Sequence, residues 1–369
     1  MARSPIPSVL KSIAANSIGQ YQYPSFVTFF VTWACNHRCV FCDVWKKTPE
    51  DEMSVVEIEK IFKQLKKLDV LRITGGEPYT RGDLSEIINI IDAVNDPTMI
   101  HITTNGINTR RIIKSLETLN NVSKVHIKVS IDDIGEKHDD IRGVRGAYEK
   151  AIETVRELVK FRDNYGLHVG VNQAILNESS MQSYETLKSE LKKYDVPVYA
   201  SIAYDSSSTL YSESDKKNNF RPDSSVKPFG DWSENALEEA MSRLASDNRE
   251  TGDFKERLVD NYFVNGLYDR MVKKVEKNGP RCVALNNHLR LLPNGDIPIC
   301  LYNGTVVGNV REKKFKDIWF SNEIKPHRNF VRNCSGCWSS CETAVSAIYT
   351  GDIWKGLFKT KLMSEIPKR

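Results

Sequence analysis
The sequence predicts an α/β protein in which six strand–helix repeats form a parallel barrel or partial barrel, with a smaller cysteine-bearing domain after it. Three observations predict this. Short apolar runs alternate with amphipathic stretches from residue 26 to about residue 204. Polar turns follow the C-terminal ends of successive strands, the rim where parallel barrels build their active sites. The eight cysteines fall into two tight groups, Cys35, Cys39 and Cys42, then Cys282, Cys300, Cys334, Cys337 and Cys341. A disulfide scaffold of this length would scatter them, whereas metal sites gather them.

In chain order, residues 1–24 are a mixed lead-in with a short helix over 9–15, too short to be a peptide-binding domain. A strand at 26–32 runs into the first cysteine loop. Ser54 and Glu57 have the spacing of a capping box. The helix they open carries Val55, Ile58, Ile61, Phe62 and Leu65 at helical intervals. Strands at 70–74, 99–103, 124–131, 167–175 and 198–203 then alternate with helices at 84–94, 110–119, 147–161 and 181–194, so the barrel occupies 25–204. Residues 205–231, rich in Ser, Asp and Lys, read as a linker or lid. With helices over 234–246 and 254–276 they make up a 205–278 segment. The second domain covers 279–345. Its stretch Leu291 to Ile299 reads as a hairpin turning at Asn294-Gly295, which would fold Cys300 back towards Cys282. Residues 346–369 form a basic amphipathic tail.

Composition bounds the function. A chain of 369 residues with 40% hydrophobic and 27% charged residues has a real core. No segment reaches the length of a membrane-spanning helix, and no signal peptide precedes the first strand. The net charge is +4. Most of that excess lies in the tail, where Lys355, Lys359, Lys361, Lys368 and Arg369 face only Asp352 and Glu365. The body carries no basic stripe, so nucleic acid is not an expected partner. Trp354, Leu357, Phe358 and Leu362 share one face of the tail, which suits either packing on the protein or weak contact with a membrane surface. Thiolate ligands imply a reducing, oxygen-poor cytoplasm.

Cys35-x3-Cys39-x2-Cys42 follows the first strand directly. Three thiolates this close can hold three corners of a cubane iron–sulfur cluster and leave one iron open. They could also bind zinc, with His37 as the only nearby fourth ligand. About thirty residues on comes Gly75-Gly76-Glu77-Pro78. The two glycines let backbone approach a ligand closely, and Pro78 biases Glu77 towards an extended conformation. Such a turn suits an ammonium group.

Together, the cysteine loop and the Gly-Gly-Glu-Pro turn resemble the signature of the radical S-adenosylmethionine (radical SAM) enzymes. The resemblance implies a partial six-repeat, TIM-like barrel and a SAM-binding [4Fe–4S] cluster on Cys35, Cys39 and Cys42. It also implies that Gly75, Gly76, Glu77 and Pro78 bind the methionine amino group, and that Phe41 seats the adenine unless it merely packs. Asn105, Ser130 and Arg142 match positions near the methionine and ribose groups. Arg142 could grip the cofactor carboxylate or pair with Asp139 or Asp140. Ser130 could be a plain strand residue, and Asp132 a cap for the next helix.

The second group resembles the SPASM/Twitch extension of one branch of that family, through Cys282, Gly295 and Cys300, then Val307 to Val310, Asp317 to Trp319 and Cys334-x2-Cys337-x3-Cys341. Full SPASM regions hold two clusters on seven cysteines. Five cysteines imply one auxiliary [4Fe–4S] cluster on Cys282, Cys300, Cys337 and either Cys334 or Cys341. A structural zinc site is the alternative. The implied activity is reductive cleavage of SAM to a 5′-deoxyadenosyl radical, fed by a flavodoxin- or ferredoxin-type donor. That radical takes a hydrogen atom from a small molecule or peptide, and the auxiliary cluster assists oxidation or substrate binding. Rival readings are a peptide maturase that cross-links or epimerises, an enzyme acting on a lipid-linked substrate, and a non-enzymatic two-site zinc protein.

Overall fold
The structure, a computed structural model, describes residues 3–204, 209–212, 228–247, 254–275, 279–334 and 336–354. Helix α1 (Ile6–Ser17) is longer than expected, because Pro5 and Pro7 lie at its start, where a missing N–H costs nothing. After it come β1 (Phe26–Thr32), α2 (Val55–Phe62), β2 (Val70–Gly75), α3 (Leu84–Asn95), β3 (Met99–Thr104) and α4 (Thr109–Glu117). The run continues with β4 (Val125–Ser130), α5 (Glu136–Arg142), α6 (Ala147–Tyr165), β5 (His168–Ile175), α7 (Ser179–Lys192) and β6 (Val198–Ile202). All six expected strands are present. Ser54 and Glu57 make the reciprocal capping box that opens α2. The short helix α5 was not expected. It fits between Gly135 and Gly143, both at positive φ, and is too brief for a periodicity to register.

Helices α8 (Glu234–Asp247) and α9 (Phe254–Met271) lead to β7 (His288–Leu291), β8 (Asp296–Pro298), β9 (Val306–Asn309), α10 (Phe315–Trp319), α11 (Lys325–Arg332) and α12 (Ser340–Thr350). Most of the expected 205–231 lid, and the tail from residue 355 onward, lie outside the described residues. Among the described residues no helix is long and apolar enough to cross a membrane.

The sheet runs β6–β5–β4–β3–β2–β1–β7, parallel throughout, and does not close. Side chains alternate across it, as strand geometry requires. Leu71, Ile73, Ile100, Ile102, Ile127 and Val129 face outward into one core with Ile58 and Phe62 of α2, Ile87 and Ile91 of α3, and Ile112 of α4. The opposite faces of β2, β3 and β4 are half-exposed and polar, so the concave side is an open lumen. Strand β1 is buried on both faces. Its lumen side is covered by Leu210, Leu301 and Tyr302 against Phe30, and by Val345 and Tyr349 against Phe26.

The expected hairpin is corrected. The Leu292 N–H does donate a turn bond to the Asp296 carbonyl at 2.9 Å, but β8 pairs with β9 rather than with the preceding strand. The preceding residues form β7, a seventh parallel strand on the β1 edge. An unpaired β1 edge would leave backbone groups unsatisfied, and β7 supplies their partners.

A buried polar hub ties this added strand to α12. The Glu342 carboxylate, 3% exposed, accepts from Arg290 Nε at 2.9 Å, Arg290 Nη2 at 2.5 Å and the Leu301 N–H at 3.1 Å, and lies 3.1 Å from His288 Nδ1. His288 Nε2 reaches Thr28 of β1 at 2.8 Å. Arg290 and His288 hold Glu342 well below the usual carboxylate range despite its burial. Burial pushes His288 down to about 4, with Glu342 opposing. Glu342→Gln leaves the Arg290 guanidinium buried without its counter-ion and should cost about 3–5 kcal/mol. A drop in apparent Tm with little change at Glu185→Gln, an exposed control, would check this. His288 is neutral when folded, so its contribution is complete above about pH 6.5 and is lost as the pH falls towards 4. Thermal melts across that window should show Tm falling with acidification.

Candidate active site at the barrel rim
The first cysteine loop is stapled to three neighbouring rim segments. At its root, the Gly76 N–H donates to the Thr32 carbonyl and the Glu77 N–H to the Ala34 carbonyl, both at 2.8 Å. A Cβ on Gly75 would lie 2.2 Å from the Thr32 oxygen, and one on Gly76 would lie 2.1 Å from the Ala34 oxygen. The glycines are therefore required by contact with the residues at the root of the cysteine loop. At the middle of the loop, Asn105 Nδ2 donates to Asn36 Oδ1 at 2.7 Å. Beyond it, the Arg38 and Val40 N–H groups donate to the carbonyls of Arg142 and Ile141 at the end of α5. Glu52 braces the same root, accepting from Thr32 Oγ1 at 2.8 Å and the Trp33 N–H at 2.7 Å.

Glu77 is 4% exposed and already occupied. Its carboxylate accepts from the Tyr79 N–H at 3.1 Å, Thr104 Oγ1 at 2.8 Å and the Asn105 N–H at 2.6 Å. Four lone-pair sites less these three leave about one, on Oε2. Burial raises its pKa, and the Asn105, Thr104 and Tyr79 donors oppose that rise. Asn36, Glu77, Thr80, Asn105 and Arg111 line a cleft of about 140 Å³ where the loop and two of the turns meet. Pro78 begins the short 3₁₀ turn that follows Glu77.

Arg142 is not paired with Asp139 or Asp140. Its Nε lies 2.7 Å from Asp132 Oδ2, and its Nη1 donates to Cys39 Sγ at 3.8 Å. One hydrogen of Nη1 and both hydrogens of Nη2 remain uncommitted. Asp132 does not cap a helix either, since its Oδ1 accepts from the Ala174 N–H at 3.0 Å. Asp139 instead accepts from the N–H groups of Gly146 and Tyr148 at the start of α6. Phe41 lies edge-on to Phe229, with the Arg142 guanidinium 5.9 Å from its ring centre. Ser130 ends β4 half-exposed on the lumen side.

None of the eight cysteines is joined in a disulfide. Burial pushes Cys35 up to about 12 and Cys42 up to about 11, and each also feels the neighbouring loop thiols. Burial raises Cys39 as well, with the Arg142 charge opposing. In the second group, burial raises Cys282, Cys300 and Cys337. Cys282 feels Cys334 and Cys300, and Cys337 feels Cys282 and Cys300. Cys341 packs in one cluster with Cys300 and Cys337 and also lies within electrostatic reach of Tyr204 and Tyr211, which the sequence did not single out. Tyr211 also feels Cys42 and bonds Thr74, so it stands between the two cysteine groups. Among the described residues no three His, Cys, Asp or Glu side chains converge tightly enough to share one metal ion. A cluster spreads its thiolates over separate irons, and the donor set suits that.

Comparison with known proteins agrees with this geometry. The radical SAM superfamily profile matches residues 30–177, and the profile of an iron–sulfur cluster-binding domain, SPASM, matches residues 282–338. A putative glycyl-radical enzyme activating enzyme of Methanocaldococcus jannaschii is 24% identical over 209 residues, 53% of this chain and 77% of that protein. The sporulation killing factor maturation protein of Bacillus subtilis is 25% identical over 160 residues, 42% of this chain but only 38% of its own length. The crystal structure of Streptococcus suis SuiB bound to precursor peptide SuiA superposes with a TM-score of 0.56 at 17% identity, over 90% of this chain and 73% of that one, and so shares the fold.

Gly76→Ala places a methyl group 2.1 Å from the Ala34 carbonyl, which backbone alone can relieve. We expect a cost of about 3 kcal/mol or more and reduced iron uptake at the first loop. Gly82→Ala meets nothing closer than the flexible tip of Arg111 at 3.4 Å and should change neither melting nor iron content.

Proposed function
With residues 30–177 in the radical SAM superfamily and residues 282–338 in a SPASM iron–sulfur domain, the chain is a radical SAM enzyme, and we propose that it abstracts a hydrogen atom from a peptide or small molecule held in the barrel lumen. Bound together at the rim, a [4Fe–4S] cluster and S-adenosylmethionine supply a 5′-deoxyadenosyl radical able to attack an unactivated C–H. The observation that carries the proposal is the stapling of the Cys35–Cys42 loop to Gly76, Glu77, Asn105 and α5 above a half-exposed polar lumen.

Cys35, Cys39 and Cys42 would hold the cluster. Because burial keeps Cys35 and Cys42 protonated to about 12 and 11, loading it must release protons. Arg142, fixed by Asp132, places a positive charge beside Cys39 and favours its thiolate. The open acceptor site of Glu77 would take the cofactor ammonium. Gly75 and Pro78 hold that carboxylate in place, and Asn105, Ser130 and Nη2 of Arg142 offer polar contacts nearby. Phe41 offers an apolar face for the adenine. Beside β1, Cys282, Cys300, Cys334 and Cys337 would hold one auxiliary [4Fe–4S] cluster, leaving Cys341 as the spare thiol near Tyr204 and Tyr211. A flavodoxin- or ferredoxin-type protein would deliver the electron. Similarity to the sporulation killing factor maturation protein favours a peptide.

Anaerobically reconstituted protein, incubated with S-adenosylmethionine and dithionite, should form 5′-deoxyadenosine and carry about eight irons per chain. Cys39→Ala should abolish the product. Cys334→Ala should halve the iron, and Cys341→Ala should leave it unchanged. A colourless zinc protein that forms no 5′-deoxyadenosine would end this reading.

A further inference from the structure
The concave face of the sheet carries a row of cationic and imidazole side chains at one level. Register places Arg72 of β2 beside His101 of β3, His101 beside His126 of β4, and His126 beside His168 of β5. Their chain neighbours Leu71, Ile73, Ile100, Ile102 and Ile127 are packed in the outer core, so the row must face the lumen. The rings of His126 and His168 stack 4.0 Å apart. Lys128, one pleat nearer the rim, has its Nζ 3.3 Å from the centre of the Tyr199 ring.

Two members are incompletely satisfied. Arg72 lies 4.9 Å from the Phe26 ring centre and donates to the Cys341 carbonyl at 3.4 Å, but has no carboxylate partner among the described residues. His101 Nδ1 is buried without a hydrogen-bond partner. Burial, followed by the charges of Lys128, Arg72 and His126, pushes His101 well below its ordinary value. Every charged neighbour named there is positive. Such a gathering has a cost unless an anion enters it.

We propose that Arg72 and His101, flanked by His126 and Lys128, form an oxyanion-binding belt in the lumen that takes a carboxylate or phosphate group of the substrate. This deepens the proposed function and rests on its reading of the lumen as the substrate chamber. Arg72 lies three residues below Gly75 and Lys128 two residues below Ser130, which is about 7–10 Å under the rim. The belt thus anchors the charged end of the substrate and leaves the reacting carbon that far above it, beside the first cysteine loop. An acid or phosphorylated substrate with this separation would be selected, and its neutral analogue rejected.

The test is calorimetric titration of anaerobic, cluster-loaded, full-length protein at low ionic strength, with inorganic phosphate in one arm and glutarate in the other. Saturable one-to-one binding is expected in at least one arm, and the stronger arm identifies the oxyanion. Arg72→Gln should weaken it at least about tenfold. Arg72→Lys should lose less, and His101→Gln should lose a smaller factor. Lys114→Gln, an equal change in net charge on the exposed face of α4, should leave binding unchanged. No saturable binding in either arm, or equal losses in Arg72→Gln and Lys114→Gln, would overturn the belt. If Arg72→Gln does not fold, Arg72→Lys and His101→Gln decide the matter. Formation of 5′-deoxyadenosine without substrate should survive in Lys114→Gln. Its absence from wild-type protein that still binds the anion through Arg72 would sink the proposed reaction and leave the belt standing.

Discussion
The arrangement depends on one close backbone contact, the seating of Gly75-Gly76-Glu77 against residues 32–34. Two hydrogen bonds of 2.8 Å join the segments, and no side chain larger than hydrogen fits at either glycine. The cysteine loop has little regular structure of its own and so depends on such external anchors. The seat fixes where the loop starts. Glu77 then transmits that position sideways, because its carboxylate collects donors from its own turn and from Thr104 and Asn105. Asn105 closes the circuit by bonding back to Asn36 within the loop. Three strand ends are held in one frame before any cofactor arrives, and that preorganisation is what a precisely aimed hydrogen abstraction requires.

Much of this was legible in the sequence, for a physical reason. The thiols and the Gly-Gly-Glu-Pro turn are defined by composition and short spacing, which survive without tertiary information. The six strands announced themselves because their outward faces are buried under amphipathic helices, giving strong periodicity on both sides. What could not be read depends on partners far away in the chain. The contact of the glycines with carbonyls some forty residues upstream is one such feature. Arg142 had acids at positions 139 and 140 within reach on paper, yet α5 aims those elsewhere and delivers the guanidinium to Asp132 and Cys39. Strand β7 was hidden for the same reason. A four-residue strand becomes one only because β1 offers it an edge.

The second cysteine group illustrates how a charge can organise a site without belonging to it. Glu342 follows Cys341 directly and lies buried, balanced by Arg290 and His288. It bonds the Leu301 N–H next to Cys300 and raises the thiols of Cys282, Cys300 and Cys337. The hub therefore locks β7 to α12 and, through the chain, fixes the cysteines on both. Its negative charge works against thiolate formation at the site it positions. The extra positive charge on Arg290 is the compensation, since it lies close enough to favour the thiolate at Cys300. Stability of the C-terminal region and readiness to bind a cluster are thus set by the same three side chains.

Filled parallel barrels pack branched apolar side chains inside. Here the apolar residues are committed outward, and the concave face carries Thr74, His101, Thr103, His126, Lys128 and Arg72 at half exposure. Such a wall gains little from collapsing on itself, because its members are polar and several repel one another. It stays open for a physical reason rather than for want of residues to fill it. Among the described residues, the thick apolar cover over the lumen is at β1, where Phe30 meets Leu210 and Tyr302, directly below the cysteine loop. That leaves a wall apolar at Phe30 of β1 and cationic from Arg72 of β2 to Lys128 of β4. A molecule with an apolar reacting end and an anionic far end matches that gradient in one orientation only, and this asymmetry, more than any single contact, would decide which C–H bond is presented to the rim.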